Sequence, residues 1–198
     1  MKVIDIINQA KEAGKPRFSF ELLPPLKGDG LEKTFGAIDR LVPYNPAFIN
    51  VTCHREEVKY TERPDGLIEK HVMRRRPGTV GVSAAIKQKY GVEVVPHLIC
   101  GGQSQYDIED TLIDMDFLGI QNVLALRGDA MPGAHRFVAH KEGHAHADQL
   151  VRQIVAMNGG RFIDGEPNTN HCFFVLNTPL LGRVEYVTTR QSVCCGDA

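Results

Sequence analysis

The chain lacks an excess of charge of either sign. Its 198 residues carry 23 Lys plus Arg against 24 Asp plus Glu, a formal net charge of -1. That balance provides no basic footprint for nucleic acid and no attraction to an anionic membrane surface. It also lacks any apolar run approaching the roughly 20 residues that span a bilayer. The opening stretch MKVIDIINQAKEAGKPRFSF has no long apolar segment and no small-residue cleavage site, so no secretory signal is expected. Cysteine is sparse: Cys53, Cys100, Cys172, Cys194 and Cys195 fit neither a disulfide framework nor a zinc knuckle. Cys53 and Cys100, each ending an apolar strand-like run, are expected to be buried thiols, in a reducing cytoplasm. A G-x-G-x-x-G turn after the first strand is missing too, which argues against a dinucleotide-binding Rossmann unit.

What is present is an alternation of apolar strands and amphipathic helices, in a chain 42% hydrophobic and long enough for one sizeable core. Val3, Ile6, Ile7 and Ala10 share one face of an opening helix that Gly14 and Pro16 end. RFSFELLPP reads as a strand closed by two prolines. Leu31, Phe35, Ile38 and Leu41 are spaced as a helix face, and AFINVTC is the second strand. HREEVKYTERPDG has no clear period and is expected to be a loop, followed by helical segments at LIEKHVMRR and TVGVSAAIKQKYG. VEVVPHLIC and NVLALRG are the third and fourth strands. Between them lies a helix that Ser104 caps and Gly119 ends, and a further helix runs to Gly159 and Gly160.

Near-continuous apolar strands separated by helices imply a parallel sheet buried on both faces. Polar residues stand at the C-terminal ends of these strands: Glu21, Thr52, His97, Arg127 and Asp129. In a (β/α)8 barrel that rim carries the chemistry. The expected fold class is therefore α/β, of the (β/α)8 TIM-barrel type, present as its first four to five βα units. A closed barrel takes about 250 residues.

The motifs FSFELLPP, FINVTC, VVPHLIC and VLALRGD, in that order and at these separations, resemble methylenetetrahydrofolate reductase over roughly residues 15 to 165. The resemblance implies FAD as cofactor, NADH or NADPH as reductant, and reduction of 5,10-methylenetetrahydrofolate to 5-methyltetrahydrofolate, which supplies methyl groups for methionine. It implies Glu21 as catalytic acid and Asp129 as the carboxylate between flavin and folate, both touching substrate. It assigns Thr52, Cys53, His97, Arg127, Gly128, Asp129 and His146 to the cofactor. A cytoplasmic enzyme acting on a small-molecule folate, commonly a homo-oligomer, follows from the family. The chemistry suits these residue types. Opening the folate's five-membered ring needs a proton donor, and a carboxyl in an apolar setting can serve. Phe20, Leu22 and Leu23 around Glu21 suggest such a setting. The iminium formed is positive, so a fixed carboxylate at Asp129 stabilises it.

Two other constellations compete. His140, His144 and Asp148 follow an i, i+4, i+8 spacing, the basis of an alternative reading as a metal-dependent hydrolase on a barrel scaffold. No general-base Glu of the H-E-x-x-H kind accompanies them, and no metal site is expected. The run Arg74, Arg75, Arg76 is a candidate anion or RNA contact, set against a solvated helix end favoured by its macrodipole.

Residues 1-170 are expected to form the N-terminal part of the barrel. Residues 171-198 are an atypical tail with no family motif, expected to arise from a foreign reading frame or a truncation, although CFFVL has the composition of a fifth strand.

Overall fold

A computed structural model describes residues 1–131 and 133–168, together with the backbone of two strands at 175–180 and 183–187. The element order is α1 (Val3–Glu12), β1 (Phe20–Leu22), α2 (Leu31–Leu41), β2 (Ile49–Val51), β3 (Glu57–Glu62), β4 (Ile68–Met73), α3 (Thr79–Tyr90), β5 (Val94–Ile99), α4 (Gln105–Phe117), β6 (Asn122–Leu126), α5 (Ala147–Asn158), β7 (Val175–Leu180) and β8 (Arg183–Val187). The sheet runs β1-β2-β5-β6-β7-β8. Its first five strands are parallel, and β8 returns antiparallel to β7. Leaving aside the inserted β3-β4 pair, each parallel strand lies beside its predecessor in the chain. A doubly wound sheet reverses its order at a switch point; a (β/α)8 barrel does not.

Register and alternation decide which side chains share a face. Phe20 pairs with Ile49 and Ile49 with Val94; Leu22 pairs with Val51 and Val51 with Pro96. These positions, with Leu98, Val123 and Ala125, point toward the helices. There Ile49, Val51, Val94, Leu98, Val123 and Ala125 form one core with Ile38, Ile86, Ile108, Leu112, Leu150 and Ile154. Period-2 alternation then puts Glu21, Asn50, Thr52, Val95, His97, Ile99, Leu124 and Leu126 on the opposite face. In a barrel that face is the interior.

The start of the sheet is closed by α1. The fully buried Asn122, first residue of β6, accepts a hydrogen bond from the Val3 amide (2.8 Å) and donates to the Met1 carbonyl (3.0 Å). It thus satisfies an amide that the first turn of a helix leaves without an internal partner. Glu93, just before β5, receives the N-terminal ammonium and Lys87.

Two expected elements differ. The stretch read as loop plus helix is the antiparallel hairpin β3-β4, with Glu57 opposite Met73 and Glu62 opposite Ile68. Arg63-Pro64-Asp65-Gly66 turns it, with Gly66 at φ 79 and the Leu67 amide donating to Asp65 (3.2 Å). The three arginines therefore follow a strand, not a helix, and each is engaged: Arg74 with Glu56 at 2.9 Å, Arg75 with Glu57 at 2.6 Å, Arg76 with the Pro24 carbonyl. No helix among the described residues is long and apolar enough to cross a membrane. The expectation for residues 171–198 falls largely outside the described residues, where Cys172, Cys194 and Cys195 also lie; a fifth parallel strand does follow, at β7.

Candidate active site on the open face of the sheet

Residues toward the C-terminal ends of the strands build two groups. The first comes from β1, β2 and β5. His97 is buried, and its Nε2 lies 3.5 Å from Glu21 Oε2. That separation is within ion-pair reach, yet Nε2 makes no hydrogen bond, and it is buried without a partner. Burial holds the His97 imidazole below its usual value; Glu21 opposes the shift and His54 adds to it. The ring is thus neutral at neutral pH, and its contact with Glu21 is not a full ion pair. The Thr52 hydroxyl stands 3.4 Å from the Leu22 carbonyl and 3.1 Å from His54 Nε2. Burial, then Arg76, lowers the pKa of His54 as well. Two neutral imidazoles and one carboxylate therefore face the open side of β1, β2 and β5.

The second group comes from β6 and α5. Leu126, Arg127, Gly128, Asp129, His146, Asp148 and Val151 line a cavity of about 630 Å³. Gly128 has φ 81, and a Cβ there would stand 3.3 Å from Ile99 Cβ. The left-handed φ and the close neighbour both favour glycine, and Gly128 lines the cavity. The Cys100 thiol, at the end of β5, donates to the Leu126 carbonyl (3.4 Å) and lies 3.6 Å from the His146 carbonyl. It ties two walls of the cavity together. Burial pushes that thiol up to about 11, so it stays protonated. His146 is the N-cap of α5, and Gln149 Oε1 accepts from both the Ala145 and His146 amides.

Arg55 joins the two groups. It follows His54 in sequence, and its Nη1 donates to the Asp129 carbonyl at 3.0 Å. Nothing at Arg55 or His54 marked either as special beforehand. Their only sequence signal was adjacency to Thr52.

Several expectations need correction. Glu21 is not enclosed by apolar side chains: its side chain is 59% exposed, because the helices cover only the other face of the sheet. His97 lies within β5, two residues before its end, and not at the strand terminus. Cys53 is half-buried, and burial raises its thiol to about 11 against a smaller opposing effect of Arg74. The proposed metal triad does not assemble. The helix starts at Ala147, so His140 and His144 precede it. His144 is buried against Gln153 Oε1 (2.6 Å), His140 Nδ1 accepts from the Glu142 amide (3.2 Å), and Asp148 pairs with Arg152 (2.8 Å). Among the described residues no group of three side chains could hold a metal ion.

Comparison with known proteins identifies the lineage. The family model of methylenetetrahydrofolate reductase matches residues 6–165. The chain belongs to this family. A methylenetetrahydrofolate reductase (NADH) 1 from Arabidopsis thaliana is 35% identical over 162 residues, which is 82% of this chain and 25% of the plant protein. Methylenetetrahydrofolate reductase 2 from Saccharomyces cerevisiae is 26% identical over 174 residues, 87% of this chain and 26% of the yeast protein. The 5,10-methylenetetrahydrofolate reductase of Escherichia coli is 29% identical over 132 residues, 66% of this chain and 39% of the bacterial one. The chain thus spans about a quarter of the length of the plant and yeast reductases. Its parallel strands in sequential order are the opening βα units of the reductase barrel, and the resemblance carried by FSFELLPP through ALRGD holds.

Proposed function

We propose that this chain contributes the first strands of a flavin-dependent site that reduces 5,10-methylenetetrahydrofolate to 5-methyltetrahydrofolate, with NADH or NADPH as reductant. One observation carries the reading: a buried His97 Nε2 without a partner, on the sheet face shared with Glu21 and Thr52. A buried polar atom left unpaired costs free energy, about 1–3 kcal/mol, that a polar ligand recovers. The residues fit FAD on the same grounds. His97 and Thr52 stand on the sheet face that the helices leave open. Gly128 provides bare backbone at the cavity, where Arg127 adds a cation and His146 a further wall. Cys53 stands beside Thr52 and contributes packing through a protonated thiol.

FAD, when bound, supplies the hydride. The chain's own residues position and polarise. Glu21 donates the proton that opens the folate's five-membered ring at its departing nitrogen. Asp129 holds a fixed negative charge against the cationic iminium carbon-nitrogen unit, which stabilises it electrostatically. His97, neutral through burial, does not hold Glu21 in a full ion pair. A cytoplasmic setting and a homo-oligomer accompany this reading.

The test is a titration of the purified chain with FAD, followed by NADH oxidation with menadione as acceptor. One equivalent of FAD bound per chain is expected. Glu21→Gln retains the NADH–menadione reaction and loses folate reduction by about 10²–10⁴-fold, the usual worth of a general acid. A chain that binds no FAD overturns the reading.

A further inference from the structure

Arg55 reaches across the candidate site, and the sequence motifs leave it without a role. Three contacts hold it. Its Nη1 donates to the Asp129 carbonyl at 3.0 Å, across 74 residues of chain. Its guanidinium lies 5.6 Å from the centroid of the half-buried Phe137 ring, and Arg127 lies 5.2 Å from the same ring. Its stem passes over the turn after β5, where a Cβ on Gly101 would stand 2.8 Å from Arg55 Nε. One side chain from the loop after β2 thus spans β5 and grips the segment after β6. Both charged residues of the Arg127-Gly128-Asp129 segment are touched by this assembly: Asp129 through its carbonyl, Arg127 through a shared aromatic ring.

We propose that Arg55 is a positioning residue that sets where the Asp129 carboxylate and the Arg127 guanidinium stand. The physical need is plain. Gly128 has φ 81 and no side chain, so the segment has little of its own to restrain it. A charge acts on a reacting centre only if it is held in place before the reaction. The planar fork of an arginine can donate to a carbonyl and stack on a ring at once; a lysine can do only the first. Gly101 is part of the device, because any larger residue there would occupy the path of the Arg55 side chain.

The proposal rests on the reading of Asp129 as a functional carboxylate, and the test separates the two. In the ligand-free chain, backbone order parameters at residues 128–131 are measured by nitrogen-15 relaxation for the parent, Arg55→Ala, Arg55→Lys and Gly101→Ala. Order there is expected to fall in Arg55→Ala, from about 0.85 toward about 0.6, because one charge-assisted hydrogen bond is lost. Gly101→Ala, which displaces the side chain without removing it, produces the same local fall. Arg55→Lys is intermediate, and order in α4 and β5 is unchanged in all three. Unaltered order at 128–131, or a uniform fall over the whole sheet, overturns the proposal. In the FAD-loaded chain, Asp129→Asn is expected to shift the flavin midpoint potential upward, and by less than half as much when Arg55 is also Ala. An equal shift in both backgrounds overturns positioning by Arg55. A parent chain that takes up no FAD sinks the functional reading alone, since the relaxation measurement needs no ligand.

Discussion

The two ends of the same parallel sheet handle buried polar groups in opposite ways. At the start of the strands, Asn122 is fully buried and every polar atom it has is used: its Oδ1 accepts from Val3, and its Nδ2 donates to Met1 and, at 3.4 Å, to Glu93. Toward the other end, His97 is almost as deeply buried, yet its Nε2 is left without a partner, and the nearest acid, Glu21, stands mostly in solvent. The first arrangement holds the structure together. The second tolerates a local cost where a ligand would remove it. A barrel divides its labour in this way, with stability placed at the bottom and chemistry at the top.

The sharpest way to break the comparison is Asn122→Ala. It strips the Val3 amide and the Met1 carbonyl of their partners and loosens α1. Urea denaturation should register a loss of about 3 kcal/mol, as for other disrupted buried networks, while FAD affinity stays near the parent's. An ordinary structural contact also exists near the rim, which gives a second point. Ser104 caps α4: its hydroxyl accepts from the Asp107 amide (3.1 Å), and the Asp107 carboxylate accepts from the Ser104 amide (2.8 Å). Ser104→Ala should cost about 1 kcal/mol in the same assay. His97→Leu is expected to go the other way, leaving stability equal or higher by about 1 kcal/mol, since an unpaired buried nitrogen is replaced by carbon. The same change should weaken FAD binding at least about tenfold.

The smallest effects are those of pH, and their signs follow from proton binding. His97 has a lowered pKa when folded, so the unfolded chain binds more protons in the range just below 6.5. The stability tied to its neutral form is complete above 6.5 and is lost as pH falls through the folded value. Denaturation curves across that range should flatten in His97→Leu. The hydrogen bonds from the Ser104 hydroxyl and amide depress the Asp107 carboxyl, so its contribution is complete above 3.8 and is lost at more acid pH. In Ser104→Ala the acid limb of the stability profile should shrink.

Much of this organisation was legible in the residues themselves. The helix of Val3, Ile6 and Ala10 and the capped helix from Gln105 appear where spacing and capping residues put them, because each buries one face. The β3-β4 hairpin escaped detection for the converse reason. Most of its side chains are exposed on both faces, so charged residues interrupt the alternation of Val58 with Tyr60 and of Ile68 with Val72. The remaining clue was Pro-Asp-Gly, a turn signal between two weak runs. At the site, Glu21, Thr52 and His97 were visible because they punctuate apolar strands. The solvent around Glu21 and the reach of Arg55 were not. The first depends on which face the helices cover, and the second on a contact between residues 74 apart. His140, His144 and Asp148 misled because a helical spacing was counted across a segment that becomes helical only at Ala147.

The link between Val3 and Asn122 also imposes an order of events during synthesis. The hydrogen bond that fixes Val3 cannot form until a residue 119 positions later has been made, an interval of about 6 to 24 s at ordinary elongation rates. Until then the leading helix has the earlier Glu93 to pair with its ammonium but no acceptor for its first-turn amide. A nascent chain stalled before β6 therefore carries a leading helix whose seat on the sheet is only half built.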